Sequence, residues 1–184
     1  MTVHLRHLLH RSLRFFVFLV VAAVGAATNA EYTPVTDERL VSPEPGNWLM
    51  YRRTYDSHGF SPLDEINTRN VKNLKPLWSL STGLREGHQA PPVVNDGYMF
   101  ITPPHNHLIA LDAESGETIW RYIRELPEDQ VQMHPTNRGV ALYGNLVYMA
   151  TADCYVVALD ARTGELVWDC LLYTSDAADE LLGV

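Results

Sequence analysis

Ala110-Leu111-Asp112-Ala113-Glu114-Ser115-Gly116-Glu117-Thr118-Ile119-Trp120 returns as Ala158-Leu159-Asp160-Ala161-Arg162-Thr163-Gly164-Glu165-Leu166-Val167-Trp168, a period of 48 residues with seven of eleven positions identical. An apolar run precedes each copy, Tyr98–Thr102 the first and Leu146–Thr151 the second. Leu77-Trp78, 42 residues ahead of Trp120, is a fainter member of the series. The repeated peptide has a direct physical reading. Asp112 and Asp160 end a strand, where a short carboxylate can accept from the amides of the following turn. Gly116 and Gly164 supply the positive φ of a tight turn. Trp120 and Trp168 then fall on the next strand, as large apolar plates whose single N–H needs an acceptor when buried.

Outward from the repeat the same patterning holds. β-branched and aromatic runs are cut by Asn95-Asp96-Gly97 and Gly144-Asn145, and no stretch after residue 30 sustains a 3.6-residue apolar period. A unit of four short strands, packed on its neighbours through a Trp, is a propeller blade. The alternative is a β-sandwich in which two hairpins share a turn; the blade-length period favours the propeller. The fold expected is all-β, made of β-propeller blades.

The first thirty residues stand apart. Arg6, Arg11 and Arg14 precede the ten-residue apolar core Phe15–Val24, and small residues follow up to Ala30. That is the layout of a signal peptide cleaved after Ala30, with an uncleaved anchor as the rival reading; ten apolar residues are too few for a stable span. Losing residues 1–30 removes three arginines and no acid, taking the formal charge from −8 to −11. An acidic chain disfavours a nucleic-acid groove or a polybasic membrane patch, since both need excess Lys and Arg. With 46% hydrophobic and 20% charged residues the composition is globular, and two cysteines cannot make a disulfide scaffold.

From about Asn47 to Trp168 the sequence resembles the quinoprotein alcohol dehydrogenases. Asn47-Trp48-Leu49-Met50-Tyr51, Phe60-Ser61-Pro62-Leu63-Asp64-Glu65-Ile66-Asn67 and Leu77-Trp78 are similar to that family's opening. Gly87-His88-Gln89-Ala90-Pro91-Pro92 resembles the segment entering its first cofactor-facing strand, and Asn137-Arg138-Gly139-Val140-Ala141 its cofactor-contacting Asn-Arg-Gly. The resemblance implies an eight-bladed propeller joined by tryptophan-docking motifs, binding pyrroloquinoline quinone (PQQ) with a Ca²⁺ or lanthanide ion. It further implies oxidation of a primary alcohol, electron transfer to a cytochrome c, and a periplasmic location.

Carried over position by position, Arg138 falls on the family arginine that contacts PQQ. The chemistry suits it, because a guanidinium fork binds carboxylate through two charge-assisted bonds; a solvated surface arginine is the plain alternative. Gln89 falls where the family often has a glutamate that hydrogen-bonds the cofactor, so the amide keeps a bond and loses the charge. Gln132-Met133 stands where many members have two adjacent cysteines. The resemblance places the metal ligands and the aspartate base further along than Val184, so no catalytic or metal residue is assigned here. At roughly 48 residues per blade the chain holds three repeats, and it is expected to be an N-terminal fragment, inactive alone.

Three segments are thus expected: a signal peptide over 1–30, blades over 31–168, and a tail over 169–184 that departs from family and repeat and reads as a cloning or assembly junction. Other candidates are weaker. His105-x-His107 is half a zinc site without a third ligand, Glu128-Asp129 reads as a solvated loop, and Cys154 as a small buried hydrophobe. A Cys154–Cys170 disulfide is compatible with an oxidising compartment, but sequence separation says nothing of its geometry. The second function class is a non-catalytic propeller acting as a scaffold or assembly module; Arg138 favours the enzyme, since a scaffold needs blades but no cofactor arginine. A membrane glucose dehydrogenase of the same superfamily is a third, disfavoured because the usual N-terminal spans are missing.

Overall fold

The runs rich in Val, Ile, Tyr and Phe become strands wherever turn residues flank them. The first four are β1 (Val93–Asn95), β2 (Tyr98–Ile101), β3 (His107–Asp112) and β4 (Thr118–Ile123). The next four are β5 (Ala141–Tyr143), β6 (Leu146–Ala150), β7 (Tyr155–Asp160) and β8 (Leu166–Leu171). They form two four-stranded antiparallel sheets in the consecutive orders β1-β2-β3-β4 and β5-β6-β7-β8. This computed structural model describes residues 31–126 and 134–172. The leader expected over 1–30, Glu128-Asp129, Gln132-Met133 and most of the expected tail lie outside them.

The two sheets are copies in detail. Ala110 pairs with Trp120 and Ala158 with Trp168, and each ladder shifts register just beyond that pair. Asp112 Oδ1 accepts from the amides of Glu114 (3.0 Å) and Ser115 (2.7 Å); Asp160 Oδ1 accepts from Arg162 (2.9 Å) and Thr163 (3.1 Å). Gly116 and Gly164 take φ of 75° and 74°, and each donates to its aspartate carbonyl at 2.8 Å. The turn chemistry is therefore the one the sequence implies.

The tryptophans join one repeat to the next. Trp78 Nε1 donates to the Ala113 carbonyl (3.2 Å) and Trp120 Nε1 to the Ala161 carbonyl (3.0 Å). Each ring lies flush on the following glycine: a Cβ on Gly116 would overlap the Trp78 ring, and one on Gly164 would lie 2.6 Å from Cδ2 of Trp120. Trp120 is accordingly 8% exposed. Equal burial of Trp168 is not found. It keeps the equivalent register but is 42% exposed, because its seat would be the turn of a following repeat.

One core cluster spans both sheets, with Phe100, Leu108, Val147, Met149, Val157 and Leu159 at or near full burial. An N-terminal strap carrying helix α1 (Asp37–Val41) adds Tyr32, Val35, Leu40 and Leu49 to it. Val35 exchanges both backbone bonds with Gly144 in the second sheet, and the Thr33 amide donates to Asp96 in the first, so the strap bridges the two sheets. At the other margin β8 runs past Trp168 through Asp169, Cys170 and Leu171. Strand structure therefore continues over the first three residues of the expected tail.

Candidate functional site

Gln89 precedes β1 and Arg138 precedes β5, so the topology sets both at the same end of the sheets, with the β2–β3 and β6–β7 turns. The 48-residue register aligns Arg138 with Ala90 and Asn137 with Gln89. A Cβ on Gly139 would lie 3.9 Å from that of Ala90, so the strand-opening segments of successive blades abut. The Gln89-Ala90 and Arg138-Gly139 segments, far apart in the sequence, therefore lie side by side.

Asn137 fixes this segment. Its Nδ2 donates to the Ala150 carbonyl and its Oδ1 accepts from the Gly139 amide, both at 2.9 Å. Arg138, held between them, is exposed and has no hydrogen bond or ion pair with the described residues. Gln89 is likewise exposed. Arg138 lines a cleft of about 610 Å³ whose walls include Gly139, Tyr148, Thr151, Ala152 and Asn106. The Tyr148 ring, 5.8 Å from that of Trp168, belongs to the blade face with the exposed tryptophan.

The donor set suits a polycarboxylate. The Arg138 guanidinium, without an acidic partner among the described residues, and the Gln89 carboxamide stand on abutting segments, and a guanidinium fork binds carboxylate in two parallel bonds. Metal-ligating groups are another matter: no three His, Cys, Asp or Glu side chains among the described residues are placed to hold an ion. His105 lies in a turn at φ 63°, its Nε2 3.2 Å from Glu86, while His107 opens β3, so the two do not share a strand face as His-x-His. Partial burial, with His105 and Arg121 nearby, holds the His107 imidazole below its usual range. Cys154 and Cys170 are free and exposed, and Cys154 occupies a turn at φ 64°, which corrects the expectation of a buried hydrophobe.

Sequence reasoning missed Asn106 and Arg124. Asn106 is buried at φ 55°, its Oδ1 accepting from the Ala152 amide at 3.0 Å. Arg124 follows β4 and pairs with Asp153 and Asp169. Both act across the seam between sheets, so the repeat gives no sign of them; the only signal was their break with it, since the same register sets Cys154 against Asn106 and Leu172 against Arg124.

The family described as PQQ glucose/ethanol/alcohol dehydrogenase, β-propeller domain, matches residues 48–171. A quinoprotein alcohol dehydrogenase of Pseudomonas putida, PedH, is 39% identical over 147 residues, which is 78% of this chain and 25% of that protein. Among solved structures, a europium-containing methanol dehydrogenase aligns with TM-score 0.68 at 33% identity, over 73% of this chain and 25% of its own. The quinohemoprotein alcohol dehydrogenase ADHIIG of Pseudomonas putida HK5 aligns with TM-score 0.72 at 35% identity, over 79% and 22%. The chain thus spans about a quarter of the length of these relatives. With paired four-stranded sheets, tryptophans seated on the next repeat's glycine, and a match running from the strap to the last strand, the chain belongs to the PQQ-dependent glucose/ethanol/alcohol dehydrogenase β-propeller family.

Proposed function

We propose that this chain forms the opening blades of a periplasmic PQQ-dependent alcohol dehydrogenase, with Arg138 and Gln89 as its cofactor contacts. The observation that carries this reading is the Arg138 guanidinium, free of acidic partners among the described residues and set where two strand-opening segments abut. Bound PQQ supplies the two-electron acceptor for a primary alcohol, with a Ca²⁺ or lanthanide ion as Lewis acid. Arg138 binds and orients a cofactor carboxylate, and Gln89 adds a neutral hydrogen bond. The metal ligands, the aspartate base and the electron-accepting cytochrome c come from outside this chain. Residues 1–30 direct export and are removed, so the exported product begins near Glu31. No helix among the described residues is long and apolar enough to cross a membrane. The part of the expected tail beyond the family match, residues 172–184, is a sequence junction.

On this reading the chain alone is inactive. One charge-assisted contact of about 1.5–3 kcal/mol and one neutral contact of about 1 kcal/mol give at most about 4 kcal/mol. That corresponds to a dissociation constant of about a millimolar, before ordering costs. Titrating PQQ with Ca²⁺ or a lanthanide into the purified chain, with a dye-linked ethanol assay alongside, tests it. Millimolar binding and no turnover are expected; micromolar binding, or turnover above a buffer blank, would overturn the assignment of which residues make the site.

A further inference from the structure

Among the contacts that join the two sheets, one kind belongs to the repeat and a second does not. Tryptophan docking recurs at Trp78–Gly116 and Trp120–Gly164. The second fastening is at the opposite end of the sheets, beside the cleft, and centres on Arg124. Its Nε donates to Asp153 Oδ2 (2.6 Å), its Nη1 to Asp169 Oδ2 (3.0 Å), and its guanidinium carbon lies 3.9 Å from the centre of the Tyr155 ring. Arg124 and Asp153 are largely shielded, with side chains 17% and 14% exposed. The 48-residue register sets His105 against Asp153 and Leu172 against Arg124, so the clamp is specific to this seam.

A buried ion pair adds little net stability, because desolvation offsets its attraction, but its geometry fixes the position of what it holds. Here it holds the Thr151–Tyr155 turn. The Arg124 amide also donates to the Asn106 carbonyl (3.3 Å), and Asn106 Oδ1 accepts from Ala152 in that turn (3.0 Å). The turn follows Ala150, whose carbonyl accepts from Asn137, and Asn137 in turn accepts from Gly139. An unbroken set of contacts therefore runs from Arg124 through the turn to the residues on either side of Arg138.

We propose that Arg124 is a positioning residue that holds the Thr151–Tyr155 turn, and through it the Asn137-Arg138-Gly139 segment, at the place where Arg138 meets a carboxylate-bearing ligand. Its functional meaning rests on the reading of Arg138 as a cofactor contact; the contact pathway itself does not. The test is amide hydrogen exchange by NMR on the full chain without PQQ, so failure of that reading leaves the result unaffected. In Arg124→Met the protection of the Ala152 and Gly139 amides should fall at least tenfold. The Ala161 amide, bonded to Asn145 at the far end of the sheet, should change less than threefold. Arg124→Lys, which keeps the charge but not the fork, should recover part of the loss, and Asp169→Asn should cause a smaller one. If Arg124→Met does not fold, these two variants are read at the same three amides. An unchanged Gly139, or equal loss at all three amides, makes the clamp merely structural and overturns the proposal.

Discussion

Gly164→Ala probes the seat of Trp120 with a single methyl group. Two costs are separable. An alanine at φ 74° costs about 1–2 kcal/mol from left-handed backbone strain alone. Its Cβ would also lie 2.6 Å from both Cδ2 and Cε3 of Trp120, well inside contact distance. The indole cannot swing away freely, since its N–H is bonded to the Ala161 carbonyl at 3.0 Å. Overpacking of this kind adds about 1–3 kcal/mol. Gly144→Ala is the control, a turn glycine at φ 58° with nothing within 4 Å of the added methyl, and should show the backbone cost only. Denaturant unfolding of both variants, and of Gly164→Ala combined with Trp120→Ala, measures the difference. Without the indole, the Gly164→Ala cost should drop to that of Gly144→Ala, a coupling of about 1–3 kcal/mol. Gly164→Ala and Trp120→Ala effects that add within about 0.5 kcal/mol would refute docking as the source of the cost.

Two further outcomes are expected. Trp120→Ala should cost about 3–5 kcal/mol by unfolding, as for a buried aromatic, and Trp168→Ala clearly less, because its ring is already 42% exposed; equal costs would contradict the half-seated state of Trp168. The Arg39 guanidinium, then Asn47, hold the Glu44 carboxyl down to about 2 from an ordinary 4.5. Its stabilisation is therefore complete above about pH 4.5 and is lost as pH falls toward 2. With Glu44 50% exposed, solvent screening limits the effect to under about 1 kcal/mol. Glu44→Gln should flatten the stability profile in that window only, and a profile unchanged by the substitution would contradict it.

The fold was legible because its signals are local. An aspartate, a Ser or Thr and a glycine make the turn from within six residues, and the period of 48 states that the turn recurs. Arg138 and Gln89 could be read only by resemblance, since an exposed arginine ahead of a strand carries no pattern of its own. What sequence could not give lies between repeats. The exposure of Trp168 depends on the unit that covers it, the turn conformation of Cys154 on how β6 meets β7, and the Arg124 clamp on residues 29 and 45 positions away. Asp169 shows the cost of reading the last strand by pattern alone: it departs from the repeated peptide, yet it lies in β8 and takes one arm of the clamp.

On the proposed function, Arg138 meets a carboxylate-bearing quinone at the end of the sheets where the strand-opening segments abut. An NMR titration of PQQ into the full chain, followed at the Gly139 amide in wild type and Arg138→Met, tests it most directly. The expected result is a saturable shift at Gly139 with a midpoint of about a millimolar, reduced at least fivefold in affinity by the substitution, with the Gly164 turn at the far end unmoved. A shift that Arg138→Met leaves unchanged, or one as large at Gly164 as at Gly139, would contradict the account.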